Sequence, residues 1–556
     1  MTTNYRALIV DDDLFAREAM FTALTDVGFE CETAADGDIA DSSLKKPFDV
    51  VVTDLRMPRR NGHALAMDVV SRGPGRPLVV VLTGVLEPRL VKDLIARGVD
   101  DVNFKPADLN LLGVKIQALC ERRQREKQAA AASDSVGTSE LGHSPIRADQ
   151  IQDQLDSIAK TLPVFKPARH IANSLRGNAL SSLEIARTIV HDPLLTAHVL
   201  RLANLGIGKA NVQRVASLED AVNRVGDRQI GELALKTTSL DELAQAGSIW
   251  TNCDAVWRRC LASSIAVKCL NPAAQIGNDD EGLFICALLL PLSRPLLSIS
   301  LPGVYSKVID YCQHHGKSLP AAERACLSMT PARAMAGILS LCKFPPRLYK
   351  PLQYCGLSYA DIFSLTGPVR LKVEQLRTAE FLGDLAVGSF ERWYGIEFPA
   401  FDTICRLKLG DIWLLVEEIR AELAQLTAPF LGSAANGIEN GCLNSLPIRY
   451  FRLTPDYRDP LIALVQALGI TVEPVSRADA CQAESILVNC LDVSPDRLQW
   501  FLDDAVAASN RWLVCNSPLL THQISCESVV QLPTSFGELA AALESLTKQP
   551  LEHEAL

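Results

Sequence analysis

Leu8-Ile9-Val10-Asp11-Asp12-Asp13 is an apolar run that closes on acids, and it organises the first part of the chain. Three further runs follow it. Asp49-Val50-Val51-Val52-Thr53-Asp54 ends on one carboxylate and leads into Met57-Pro58 and Gly62. Leu78-Val79-Val80-Val81-Leu82-Thr83 ends on a hydroxyl, and Val99 to Phe104 ends on Lys105-Pro106. Each β-like run delivers a polar group at its C-terminal end. In an open parallel sheet those ends frame the crevice where ligands bind. Acid pair, acid, hydroxyl and lysine are together the equipment for handling a phosphoryl group on a carboxylate.

The chemistry follows from the residue types. Asp54 is the expected nucleophile, attacking a phosphoryl donor to give an aspartyl phosphate. Carboxylates gathered at one site repel each other and call for a divalent cation, and oxygen-only ligands beside a phosphate suit Mg²⁺. Asp12 and Asp54 are the expected direct ligands, with Asp11 acting largely through water and the backbone carbonyl of Arg56 supplying another oxygen. Thr83 and Lys105 are expected to bind the phosphoryl oxygens. Positioning and charge neutralisation do the remaining work.

These residues, in this order, resemble the response-regulator receiver domain, over about the first 125 residues. The resemblance implies a doubly wound, flavodoxin-like α/β fold, Mg²⁺, and phosphorylation by a histidine kinase or phosphotransfer protein. It implies a switch on the face from about Pro88 to Lys115, the fourth helix, fifth strand and fifth helix. Receivers often carry an aromatic three residues before the lysine; here that position is Val102.

The chain has 556 residues, enough for three or four domains, and 48% of them are hydrophobic. A net charge of −10 and a pI near 5.5 argue against a broad nucleic-acid footprint, which needs clustered Lys and Arg. Met1-Thr2-Thr3-Asn4 leads straight toward the first strand, which reads as no signal peptide and a cytoplasmic chain. No apolar run is expected to reach membrane-span length. The 16 cysteines are scattered without a Cys-x-x-Cys pair and read as reduced thiols, mostly in cores.

Residues 1–127 therefore form the expected phosphoacceptor domain, closing in a helix from Leu109 whose polar end, Glu121 to Lys127, should project. Residues 128–150 are a linker rich in Ala, Ser, Gly and Thr. Residues 151–428 read as all-helical. Ser181 and Glu184 have capping-box spacing. His191-Asp192-Pro193-Leu194-Leu195-Thr196, Leu200-Arg201-Leu202-Ala203-Asn204, Ser217-Leu218-Glu219-Asp220-Ala221-Val222 and Gly226 follow. This series resembles the HDOD domain, a helical relative of metal-dependent HD phosphohydrolases, from about Ile151 to Cys355.

Asp192 before Pro193 reads as a helix cap rather than a metal ligand. Where the HD enzymes keep an early histidine the chain has Arg259-Cys260. Where they keep the metal-binding His-Asp it has Leu290-Pro291, and the turn that would carry a lysine is Leu292-Ser293-Arg294-Pro295. His314-His315 stands alone at an expected helix end. Hydrolysis is disfavoured, and protein binding is the expected output.

After a second linker at 429–446, residues 447–548 alternate strand and helix again. They resemble a receiver stripped of its chemistry. Thr454-Pro455 stands for the acid pair, Cys490 for the phosphoacceptor and Leu532-Pro533 for Lys-Pro, with Asp492 too isolated to serve. The whole reads as a two-component response regulator that signals to a downstream protein, a homodimer being one form of output. The alternatives are a divergent HD-type phosphohydrolase and a constitutive scaffold.

Overall fold

The structure, a computed structural model, describes residues 5–57, 60–73, 76–83, 94, 97–105, 109, 112–113, 116–117, 119–120, 123, 159, 162–176, 180–205, 214–242, 252–327, 329–365, 367–431, 447–452, 459–482, 485–491, 510–515 and 529–547. The chain divides into two compact units, 1–157 with 323–330 and 158–322 with 331–556. The linker 128–150 and most of the Pro88–Lys115 face lie outside the described residues.

The first unit is built on β1 (Arg6–Val10), β2 (Glu30–Ala34), β3 (Val50–Asp54), β4 (Leu78–Thr83) and β5 (Asp101–Phe104). They form one parallel sheet in the order β2-β1-β3-β4-β5. Every residue of β4 is buried, which is why its sequence shows no polar alternation. Helices α1 (Leu14–Asp26), α2 (Gly37–Ser43) and α3 (Gly62–Ser71) connect the strands. Ile9, Val52, Val80, Leu24 and Ile116 meet in one core. β5 starts at Asp101 rather than Val99, whose N–H bonds the Leu94 carbonyl at 3.1 Å.

The described residues from 109 to 123 are helical, but Arg123 does not project. Its guanidinium folds back to the Asp100 carboxylate at 3.3 Å and the Arg76 carbonyl at 3.1 Å. Asp100 also takes Arg76 at 2.5 Å and the Val79 N–H at 2.8 Å. One carboxylate thus ties the last described turn to the starts of two strands, a demand a polar run does not reveal.

The second unit opens with α4 (Pro167–Leu175), α5 (Ser182–Ile189), α6 (Pro193–Asn204), α7 (Leu218–Val225) and α8 (Asp227–Lys236). Ser181 and Glu184 make the capping box expected for α5. Next come α9 (Cys253–Leu270), α10 (Glu281–Leu289), α11 (Ser293–Ser300), α12 (Pro302–His315), α13 (Leu319–Cys326), α14 (Pro331–Leu341), α15 (Gly367–Val387), α16 (Phe401–Arg406) and α17 (Ile412–Leu431). The expectation about membrane-span length needs correcting. Glu281–Ser300 is long and apolar enough by length and composition, yet 78% of its window is buried inside the fold. A 3-10 turn, Leu290–Leu292, separates α10 from α11 there. Its apolar character serves packing.

α17 runs to Leu431, past the boundary expected at 428, because Phe430 packs its ring against His170, His191 and Trp257 at centroid distances of 5.2, 5.4 and 6.0 Å. The rest of the second linker lies outside the described residues. β7 (Ile448–Arg452), β8 (Val472–Pro474), β9 (Ser485–Asn489), β10 (Asn510–Cys515) and β11 (Val529–Gln531) form a second parallel sheet, in the order β11-β10-β9-β7-β8. Read from the β8 edge and by chain position, that is again second, first, third, fourth, fifth. α18 (Pro460–Ala467), α19 (Arg477–Gln482) and α20 (Phe536–Thr547) accompany it. β11 stops at Gln531, and a separate β12 (Thr534–Ser535) pairs antiparallel with β6 (Gly395–Ile396) of the helical region.

Candidate functional site

The parallel register of the first sheet brings the polar strand ends together. Val10 lies level with Thr53, so Asp11 follows beside Asp54; Asp54 lies level with Leu82, so Thr83 follows; Thr83 lies level with Phe104, so Lys105 follows. The carboxylate oxygens of Asp11, Asp12 and Asp54 lie within 4.8 Å of one another. The Lys105 ammonium reaches Asp11 at 2.6 Å and Asp54 at 2.8 Å. Asp11 is buried, Asp54 partly so, and Asp12 is open to solvent. Thr83 is buried, and its carbonyl accepts the Lys105 N–H at 2.8 Å.

Burial pushes the Asp11 carboxyl above its ordinary range, against the pull of Lys105. Burial alone would lower Lys105, but its bonds to Asp11 and Asp54 outweigh that and raise it. The lysine therefore stays charged, offsetting one of the three carboxylates. The remaining oxygens form a hard, negative donor set that fits a divalent cation such as Mg²⁺. Arg56 is exposed, its N–H 3.4 Å from Asp54 Oδ1. Val102 is fully buried, level with Val81.

Neighbouring residues hold this arrangement. Asp13, third in the acid run, accepts from the N–H groups of Phe15 and Ala16 and so caps α1 instead of joining the cluster. Arg17 donates to the Asp11 carbonyl at 2.5 Å. Gly62 passes so close to β3 that a Cβ there would sit 1.6 Å from the Asp54 carbonyl oxygen. On the same rim Leu14 is 54% and Phe15 85% exposed. Sequence reasoning missed Arg17 and Phe15. Phe15 carried a signal, an aromatic beside acids at the start of a helix.

Among its described residues the helical domain offers no comparable cluster. Among the described residues, Asp11, Asp12 and Asp54 are the His, Cys, Asp or Glu group placed to share an ion. Asp192 is fully buried and caps α6: Leu195 N–H donates to one carboxylate oxygen at 2.9 Å and Phe165 N–H to the other at 2.8 Å. Arg259 faces Asp384 at 3.4 Å. Leu290 and Leu292 are buried. His314 and His315 end α12, their rings bonded to its carbonyls.

In the second sheet Asn489 ends β9, level with Arg452 and Val514, and Cys490 follows it, its N–H donating to the Val514 carbonyl at 2.8 Å. Asn489 is buried, and its amide donates to both oxygens of Asp459 at 2.9 and 3.0 Å. Asp459 caps α18 and accepts the Tyr450 hydroxyl. Leu532 follows β11 as Lys105 follows β5. Thr454-Pro455 and Asp492 lie outside the described residues.

Sheet order and acid cluster together define a receiver-type domain. Residues 7–117 match the profile of the response regulator receiver domain, and residues 162–355 match that of the HDOD domain. Response regulator MprA of Mycobacterium ulcerans (strain Agy99) is 32% identical over 142 residues, 25% of this chain and 61% of that protein. DNA-binding transcriptional regulator NtrC of Klebsiella pneumoniae is 29% identical over 145 residues, 26% of this chain and 31% of that protein. The chain thus spans less than two thirds of either relative. Among solved structures, a fragment of the MmoQ response regulator from Methylococcus capsulatus str. Bath is 23% identical, with a TM-score of 0.36, covering 47% of this chain and 94% of its own. The signal receiver domain of an HD domain-containing protein from Pseudomonas fluorescens Pf-5 is 21% identical, with a TM-score of 0.22, covering 23% of this chain and 95% of its own. A receiver domain joined to an HDOD domain supports a response regulator.

Proposed function

We propose that this chain is a two-component response regulator, phosphorylated on Asp54 by a histidine kinase or phosphotransfer protein. The observation that carries the reading is the Lys105 ammonium held between Asp11 and Asp54, with Asp12 in the same cluster. Asp12, Asp54, the Arg56 carbonyl and, through water, Asp11 would hold Mg²⁺. When bound, Mg²⁺ supplies charge neutralisation for the incoming phosphoryl group. Asp54 Oδ2 provides the attacking electron pair, and Lys105 and Thr83 take the phosphoryl oxygens as the bond to the donor breaks. Exposed Phe15 and Leu14, on the rim, offer the phosphodonor an apolar foothold.

The modification adds roughly two negative charges and biases the Pro88–Lys115 face between two arrangements. The output is protein interaction through a non-catalytic HDOD domain, with a downstream signalling protein or a second copy of the chain as partner. The C-terminal sheet domain is a degenerate receiver, since neither Asn489 nor Cys490 can form an acyl phosphate and Leu532 offers no charge. The setting is the cytoplasm, and direct nucleic-acid binding has no place in the scheme. The test is covalent labelling from a small phosphodonor with Mg²⁺. Wild type should take up one phosphoryl group and Asp54→Asn none, with unchanged thermal unfolding. Persistent labelling of the variant would remove Asp54 from the mechanism.

A further inference from the structure

Two anchors join the C-terminal sheet domain to the helices within the second compact unit. At the first, Ile396 pairs with Thr534 and Gly395 with Ser535. The contact continues as Phe536 N–H donates to the Tyr394 carbonyl and Gly537 N–H to that of Arg392, both at 2.7 Å. The Phe390 and Phe536 rings stack with centroids 5.2 Å apart. The fit is closed, since a Cβ on Gly537 would meet the Arg392 side chain at 2.9 Å. At the second anchor, Arg420 donates to the carbonyls of Leu385 and Ala386 at 3.1 Å and of Ala467 at 3.4 Å. These end α15 and α18. Helix C-termini carry partial negative charge, so one guanidinium serves a helix end from each domain.

Tyr394 reaches inward as well as outward. Its hydroxyl donates to Asp384, the partner of Arg259. Arg259, with Cys260, stands where the HD resemblance puts an early histidine, and Arg294 lies in the turn that would carry the lysine. Both guanidinium charges act on Asp384 and on Glu380 one turn away. A buried carboxylate needs such compensation, and removing one partner of a buried pair is strongly unfavourable.

We propose that the C-terminal domain is a permanent cap on this buried ion cluster, with Tyr394 and Arg420 as positioning residues. The cap rests on the non-catalytic reading of the helical domain. A stoichiometric transition metal held by the helical region would defeat that reading, whereas the exchange behaviour of the cap tests the proposal separately.

Hydrogen exchange at Phe536 and Gly537, measured on the full chain, is the test. In the wild type these amides should exchange as slowly as the core amides of α9; exchange at the rate of an open loop would overturn permanence. Tyr394→Phe removes one hydroxyl and leaves both backbone bonds. It should speed exchange of these two amides about tenfold or more, as expected from losing a bond to a charged group. Asp384→Asn should do the same from the other side of that bond, and Tyr394→Phe carries the test if Asp384→Asn does not fold. Unchanged exchange in a folded Tyr394→Phe would sever the cap from the ion cluster and overturn the proposal.

Discussion

Gly62 shows how tightly the acid pocket is drawn at the residue scale. With 1.6 Å between a would-be Cβ and the Asp54 carbonyl oxygen, and 2.7 Å to Thr53 Oγ1, any side chain must displace β3 or α3. Gly62→Ala should destabilise the first unit by about 1–3 kcal/mol, the usual cost of overpacking. It should also slow phosphoryl uptake, because β3 sets where Asp54 stands. Denaturant unfolding and a labelling time course check the two effects, and a variant with wild-type behaviour in both would mean that the loop yields freely. Asp11, Asp12, Asp54, Thr83 and Lys105 were legible in sequence because each follows a run too apolar to be anything but a buried strand. Arg17 was not, since its bond to the Asp11 carbonyl depends on the helix turning it back over the site.

At the scale of elements, α6 depends on a carboxylate with an awkward environment. Burial pushes Asp192 from an ordinary 3.8 up to about 7, even though Leu195 and Phe165 N–H groups pull it down. The folded chain then holds a proton that the unfolded chain has released between about pH 4 and 7. Stability from this group is full below the unfolded value and lost as pH rises through the folded one. Asp192→Asn removes the charge but turns an amide toward the Phe165 N–H. It should lower stability by about 1–3 kcal/mol at pH 5 and flatten the loss between pH 5 and 7. Thermal unfolding of both proteins across that range decides it; parallel curves would refute the titration. The cap itself was readable from Asp-Pro. The residue that ends β9 was not. Ile486, Leu487 and Val488 are all buried, so periodicity does not mark where the strand stops.

For the whole molecule, the succession of a sheet region, a helical region and a second sheet region was legible because each has its own pattern of apolar runs. The antiparallel link between β6 and β12 was not, since two-residue strands lack a periodic signal. A chain cut after Leu431 uncovers the buried side chains of Phe390 and Ile396. Full re-exposure costs about 1.5–3 kcal/mol for each. The unfolding midpoint of the remaining helical region should fall, while phosphoryl uptake at Asp54 stays within about twofold, as two separate compact units require. Calorimetry and labelling of the truncated chain measure both, and a labelling loss beyond tenfold would make the units interdependent. One consequence concerns the Arg76–Asp100–Arg123 clamp at the starts of β4 and β5. Thr83 and Lys105, the hydroxyl and lysine of the acid site, stand at the other ends of those strands. β4 has six residues, which at about 3.3 Å each separates the clamp from Thr83 by roughly 20 Å. On the proposed reading, a phosphoryl group on Asp54 would touch none of the clamp's residues, and any effect it had on the described residues from 109 to 123 would reach a segment already pinned at Arg123.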